Sequence, residues 1–506
     1  MRLGDILWRS LLRPLLLSGL ALCGLAQAAT SPRVELTATP AWQGWSRPGR
    51  TTEIDIRISS DSSLRVKLEL MTERQTVHSE IELQPGRVMR LHVPVSSAGT
   101  GEVRVALATA PSEARAGGVI ERREIAIAQS ESPLLGLGLA AGGSVELEGF
   151  HSVELLAQDL PRNASAYSSI DALILDEPTL AALDRRQLAA LLAHGALCGR
   201  IVLLNTNPGV RQALEGEGGC AGRTLMVAAS LGQARQLLSS SLATSLPPAI
   251  AATSLAELSP PAQTMWTRLA VALAVYFAIA LLALLYFTNW SAPMLVSALA
   301  AAAVLALLHI LPPPSQLRVW SEGESGGQLA QYQAWQQFSG QVRKRERAPI
   351  PPQLAAAVQP CDPTQSMRFD FDAERGHLTF AEFETRLFRQ VRLCYSGSFP
   401  MVRALTAKTR ADGLREVRNV GPTAWPAGLL LAQGQVYALP AAIAGARALA
   451  GAPASSPPGD SVTRTAMARI RPNSAGVAAL WPLELVGVAD AAIDAQGWLL
   501  MSEVPR

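Results

Sequence analysis

The chain has 506 residues, 49% of them hydrophobic and 17% charged, with a formal net charge of +3. That length allows several domains, and the apolar share is high for a soluble protein. A nucleic-acid-binding role is excluded, because it needs a clustered basic face. The one dense run, Arg343 to Arg347, reads as a solvated segment.

Residues 1–28 read as an export signal. Arg2, Arg9 and Arg13 precede an apolar run from Leu15 to Leu25, and Ala26, Gln27 and Ala28 form a small-x-small cleavage pattern. Cleavage after Ala28 starts the mature chain at Ala29 and takes the net charge from +3 to +1, by losing three arginines and Asp5. A lipid attachment at Cys23 is the rival, weakened by Leu22 where a small residue is wanted. The remaining cysteines, Cys198, Cys220, Cys361 and Cys394, are even in number. In an oxidising compartment two local pairs are the simplest expectation. The absence of CxxC and CxxH spacing leaves no zinc motif, and neither a metal nor a cofactor is expected.

Residues 30–130 alternate with the period of half-buried strands. Ile54, Ile56 and Ile58 oppose Glu53, Asp55 and Arg57, and Val66, Leu68 and Leu70 repeat the pattern. With turns at Pro48-Gly49 and Pro85-Gly86 this predicts an antiparallel β-sandwich. From residue 133 to about 250, strands alternate with helices. An apolar strand ends at Leu175, Asp184 with Gln187 makes a capping box, and a strand Ile201 to Leu204 runs into a polar turn at Asn205. The expectation is an α/β layer fold with a parallel sheet.

From Leu269 to Leu317 there is no Asp, Glu, Lys or Arg. A break at Asn289 to Pro293 divides the block into 269–288 and 294–311, read as a two-helix transmembrane hairpin. His309 at its end reads as interfacial. A cleaved signal and two spans put both flanking regions outside. The rival is a single span that leaves the C-terminal region in the cytoplasm. Gln328 to Phe338 reads as an amphipathic helix, and residues 320–506 otherwise as an exported β-rich domain, with alternation at Phe369 and Phe371.

The stretch DALILDEPTLAALDRRQLAALLAHGALCGRIVLLN, Asp171 to Asn205, resembles the class I glutamine-amidotransferase-like (flavodoxin-like) domain of certain bacterial inner-membrane proteins. Their order of signal, sandwich, amidotransferase-like domain, membrane helices and exported β domain is similar to this chain's. The resemblance implies a strand-to-helix elbow that in active members carries a cysteine, with a histidine and a glutamate later. Here Asn205 and Thr206 stand at the elbow, and no histidine lies between Thr206 and Arg268. An amide is no nucleophile, and a threonine hydroxyl needs a base.

Asp176 and Glu177 join Asn205 and Thr206 as candidate ligand-cleft residues, since α/β folds bind ligands at the carboxyl edge of the sheet. No catalytic residue is assigned. The expected role is that of a non-catalytic scaffold or interaction subunit of an envelope complex. Its expected partners are the inner membrane and other envelope proteins. Alternatives are an enzyme or ligand sensor using the cleft, and an accessory subunit of an envelope transporter.

Overall fold

Alternation of apolar and polar residues drives the N-terminal region into strands: β1 (Val34–Pro40), β2 (Trp45–Ser46), β3 (Thr51–Ser60), β4 (Leu64–Met71), β5 (Gln75–Leu83), β6 (Val88–Ser96), β7 (Glu102–Thr109), β8 (Val119–Ala126) and β9 (Ala128–Gln129). This computed structural model describes residues 33–506 apart from 97–100, 110–117, 141–147, 197–198, 208, 210–224, 243–262, 287–290, 311–314, 326–328, 340–343, 363, 387–389, 402, 410–414, 452–460, 470–476, 484, 486–492 and 503–506. The signal segment 1–28, Cys198 and Cys220 therefore lie outside the described residues. Strands β1, β3 and β6 form one antiparallel sheet, while β4, β5, β7 and β8 belong to a second. Ile54, Ile56 and Ile58 pack between them against Val66, Leu68, Leu70 and Val105. Each such side chain contributes about 1.5 to 3 kcal/mol on burial.

Five parallel strands follow: β10 (Leu134–Gly138), β11 (His151–Glu154), β12 (Ala172–Asp176), β13 (Arg200–Leu204) and β14 (Leu225–Ala228), in the order β11-β10-β12-β13-β14. Strands β10 and β13 are buried at every residue. Short helices α1 (Glu177–Ala181), α2 (Arg185–Ala196) and α3 (Leu231–Leu242) connect them. Helix α2 begins where Asp184 accepts from the Gln187 N–H at 2.9 Å and the Gln187 side chain accepts from the Asp184 N–H at 3.0 Å, a reciprocal capping box.

Two further helices, α4 (Gln263–Tyr286) and α5 (Ser291–Ile310), pack together, with Tyr276 Oη 2.7 Å from Ser297 Oγ. They expose large apolar side chains, including Phe277, Leu281, Leu285, Met294 and Leu299.

After them the chain is almost all strand: β15 (Ser315–Glu324), β16 (Leu329–Ser339), β17 (Lys344–Pro349), β18 (Ala357–Pro360), β19 (Met367–Asp372), β20 (His377–Thr385), β21 (Gln390–Pro400), β22 (Leu405–Thr409), β23 (Arg415–Asn419), β24 (Gly428–Ala432), β25 (Gln435–Leu439), β26 (Arg447–Leu449), β27 (Val477–Pro482) and β28 (Ile493–Ser502), with one helix, α6 (Ser461–Arg469). Eight of these strands form a sheet in the order β18-β21-β16-β15-β28-β27-β24-β25. Strands β17, β20 and β19 instead extend the N-terminal sheet, giving β17-β20-β19-β5-β4-β7-β8. The seam is parallel, with Met367 beside Gln75 and Phe369 beside Val77. Residues on both sides of the helix pair thus share one sheet and one core, in which Ile54 and Phe369 belong to the same cluster.

These observations correct the expected fold class. The chain is mostly strand with few helices. Among the described residues no helix is long and apolar enough to cross a membrane, so the two-helix transmembrane hairpin at 269–288 and 294–311 is not shown. The α/β amidotransferase-like domain is not shown either, because the parallel strands make one modest layer of a β-rich body. Residues 320–506 do not keep their strands to themselves, since β19 pairs with β5. The expected helix at Gln328 to Phe338 is strand β16, paired with β15 on one side and β21 on the other. Its buried Ala330, Tyr332, Ala334, Gln336 and Phe338 share one phase of the strand, while Trp335 and Gln337 are buried on the other, so no clean two-residue period marks it.

Strand β24 meets β27 so closely that a Cβ on Gly428 would lie 2.5 Å from the Leu480 carbonyl oxygen. Backbone cannot yield there. Gly428→Ala is expected to cost about 2 kcal/mol, on the scale of an overpacked core, read as a lower denaturation midpoint with unchanged slope.

Candidate functional site

The four candidate residues do meet at one place. Asp176 ends β12, Glu177 opens α1, and Asn205 and Thr206 follow β13, whose Leu204 lies beside Asp176 in the parallel register. This is the carboxyl edge of the parallel sheet, where ligands of α/β proteins bind to free backbone N–H groups and helix ends.

Here the edge is occupied by the chain's own carboxylates. Asp176 accepts from the Thr179 N–H at 2.9 Å, capping α1, and from the Ala140 N–H at 2.7 Å in the turn after β10. Glu177 accepts from the Asn207 N–H at 3.0 Å. Three amides that could have faced an incoming anion are thereby saturated by negative groups.

Asn205 takes the left-handed conformation, φ +47°, and donates its backbone N–H to the Ala228 carbonyl at 3.1 Å. Its side chain is exposed. Asparagine tolerates this conformation because its short amide can bond locally, whereas a β-branched residue would be strained. Asn205→Gly is expected to be neutral or slightly stabilising and Asn205→Val destabilising by about 1 to 2 kcal/mol in thermal unfolding. Thr206 Oγ1 is buried without a hydrogen-bond partner.

No base stands behind that hydroxyl in the sequence. The Nε2 of His194, in the last turn of α2, is shut off from solvent without a partner, and its ring lies 5.1 Å from Tyr167. Burial alone lowers its pKa to about 4, so the imidazole is neutral near pH 7. Among the described residues no group of three or more His, Cys, Asp or Glu is placed to hold a metal ion.

One predicted pairing is present. Cys361, just after β18, is bonded to Cys394 in β21, with Cα atoms 5.0 Å apart. It ties β18 to its neighbour, and β18 in turn reaches the N-terminal sandwich through a hydrogen bond between Gln359 and Ser96.

Sequence reasoning missed a second polar cluster, at the joint between the sandwich and the parallel sheet. Glu53 on β3 is 3% exposed, and its carboxylate accepts from the Asn163 N–H at 2.9 Å and the Arg162 N–H at 3.3 Å. The only sequence signal was an acid inside a strongly alternating strand, which reads as solvent-facing.

No protein-family model matches the chain, and no curated protein matches it. A structure similar to it in part is native alpha-2-macroglobulin from Escherichia coli, spanning domain MG7 to the C-terminus. The identity is 12%, covering 76% of this chain and 96% of that one, and the TM-score is 0.15. A likeness that low carries no argument about fold or function.

Proposed function

We propose that this chain is a non-catalytic scaffold or interaction subunit of an envelope complex, located at the bacterial inner membrane with the regions before and after the helix pair in the periplasm. The observation that carries the non-catalytic part is the self-capped carboxyl edge. Asp176 and Glu177 are spent on backbone amides, and the elbow carries an amide in place of a nucleophile. Three features support the location. The sheet shared by β5 and β19 requires both flanking regions to fold in one compartment. The Cys361–Cys394 bridge suits an oxidising one. The exposed apolar flank of α4 and α5 offers surface for lipid contact.

The test is complementation of a gene deletion by the Asp176→Asn, Asn205→Ala, Thr206→Ala triple variant. Full complementation at normal protein level is expected. Loss of function at unchanged level would favour a ligand sensor or enzyme instead, a reading whose one supporting observation is the unpartnered Thr206 hydroxyl.

A further inference from the structure

A cavity of about 390 Å³ opens where four separate stretches of chain meet: Asn163 ahead of β12, residues 352–356 between β17 and β18, residues 376–377 at the turn into β20, and residues 398–400 at the end of β21. That volume lies within the roughly 300 to 1,000 Å³ of small-ligand sites. None of Asp176, Glu177, Asn205 or Thr206 lines it.

The cavity exists because β21 outruns a neighbour. Strand β21 stays paired with β16 as far as Pro400 and Leu329, whereas β18 begins only at Ala357, opposite Ser396. Its floor is aromatic. Phe399 stacks on Tyr332, with ring centroids 6.2 Å apart and planes 25° apart. The stack closes against the 352–356 loop only over a glycine, since a Cβ on Gly397 would lie 2.7 Å from Tyr332 Oη and 2.8 Å from Ala356 Cβ. Burial pushes the Tyr332 hydroxyl above the usual phenol range, so it stays protonated and uncharged.

The lining selects the class of ligand. Phe399, Pro352 and Pro400 supply apolar contact, Asn163, Gln353, His377 and Ser398 supply hydrogen bonding, and no Asp, Glu, Lys or Arg is among the lining residues. Asn163 spends Oδ1 on the Ser165 N–H at 3.1 Å and the Ser165 hydroxyl at 2.9 Å, which leaves its amide nitrogen to donate. An ion would lose water here without meeting a counter-charge. A wholly apolar ligand would strand the polar side chains. A ring with C–H groups on its faces and hydroxyls on its rim satisfies both, because C–H groups pack on the negative face of an aromatic ring and side-chain amides offer a donor and an acceptor to neighbouring hydroxyls.

An extended peptide fits less well. The Cys361 N–H donates to the Arg392 carbonyl, so even-numbered residues of β21 turn their main chain toward β18. Beyond Ser396 that leaves one N–H, from Ser398, because Pro400 has none.

We propose that this cavity binds an uncharged saccharide, with one face of the sugar ring laid on Phe399 and its hydroxyls held by Asn163, Gln353, His377 and Ser398. The site is separate from the self-capped sheet edge, so it stands or falls independently of the scaffold reading.

Saturation-transfer NMR on the full chain tests it. The probes are maltose, cellobiose and N,N′-diacetylchitobiose as uncharged disaccharides, glucuronate as a charged sugar, and a capped alternating threonine–valine peptide as a strand former. At millimolar concentration an uncharged disaccharide is expected to receive saturation, undiminished in about 0.5 M NaCl, which screens ionic attraction. Glucuronate and the peptide are expected to receive none. Gln353→Ala, at an exposed position, is expected to weaken binding roughly two- to ten-fold, the scale of one neutral hydrogen bond. Phe399→Leu is expected to weaken it by about the same factor through loss of the ring face. No transfer to any of the three disaccharides, equal binding of glucuronate, binding of the peptide in their place, or undiminished binding in both variants would each overturn the proposal. If Phe399→Leu does not fold, Gln353→Ala and the probe series still decide.

Discussion

Trp42→Ala is expected to destabilise the chain by about 3 to 5 kcal/mol, the range for deleting a fully buried large aromatic. Trp42 is 0% exposed, sits edge-on to Tyr167 at 5.2 Å and bonds the Ala166 carbonyl through Nε1. It holds this place in a left-handed backbone, φ +56°, followed by Gln43 at +50° and Gly44 at +82°. Two non-glycine residues in that region cost on the order of 1 to 3 kcal/mol each, and such strain persists only where the surroundings over-determine it. Here the surroundings are the Trp42 contacts and the Gln43 side-chain hydrogen bond to the Glu154 carbonyl. Removing the indole leaves the strain without its compensation, so the loss is expected near the top of the range. Chemical denaturation of wild type and variant measures it. A change under about 1 kcal/mol would show that the joint does not rest on Trp42.

Loss of the Cys361–Cys394 bridge is the second large effect. The two cysteines are 33 positions apart. In the chain-entropy model a closed loop of that size stabilises by about 3 to 4 kcal/mol, by restricting the unfolded chain. The paired Cys361→Ser, Cys394→Ser variant is expected to unfold at a correspondingly lower denaturant concentration. Adding reductant is expected to shift the wild type and leave the variant unmoved. Equal midpoints with and without reductant would mean that the bridge contributes nothing measurable.

What the sequence made legible was local. The Ile54, Ile56, Ile58 alternation and the Asp184 and Gln187 box each act within a few residues, so spacing alone exposes them, and the Cys361–Cys394 pair was legible because the cysteines are few and even in number. The site residues were legible for the same reason. Asp176, Glu177, Asn205 and Thr206 fall at strand ends that apolar runs announce.

The long-range partnership was not legible. The seam between β5 and β19 joins strands on opposite sides of the helix pair, and nothing in either strand's own alternation names its partner. Reading each region as a separate domain followed from that. The apolar block was read by composition as a membrane hairpin, a reading that the described helices do not meet. Strand β16 was misread because the alternation of Tyr332 and Ala334 with Gln331 and Gln333 breaks at Trp335 and Gln336, where an apolar residue falls on the polar face and a glutamine on the apolar one. Glu53 misleads in the same direction, since charge in an alternating strand suggests exposure while packing buries it.

The central claim is that the regions before and after the helix pair are one body in one oxidising compartment, joined at the β5 and β19 seam. Thr76 and Arg368 face each other across that seam in the parallel register. The direct measurement is the Thr76→Cys, Arg368→Cys double variant in intact cells, read by non-reducing mass mapping without added oxidant. The account predicts a spontaneous bridge between positions 76 and 368 alongside the native Cys361–Cys394 bond. Two free thiols at 76 and 368, in protein whose native bridge is intact, would contradict it.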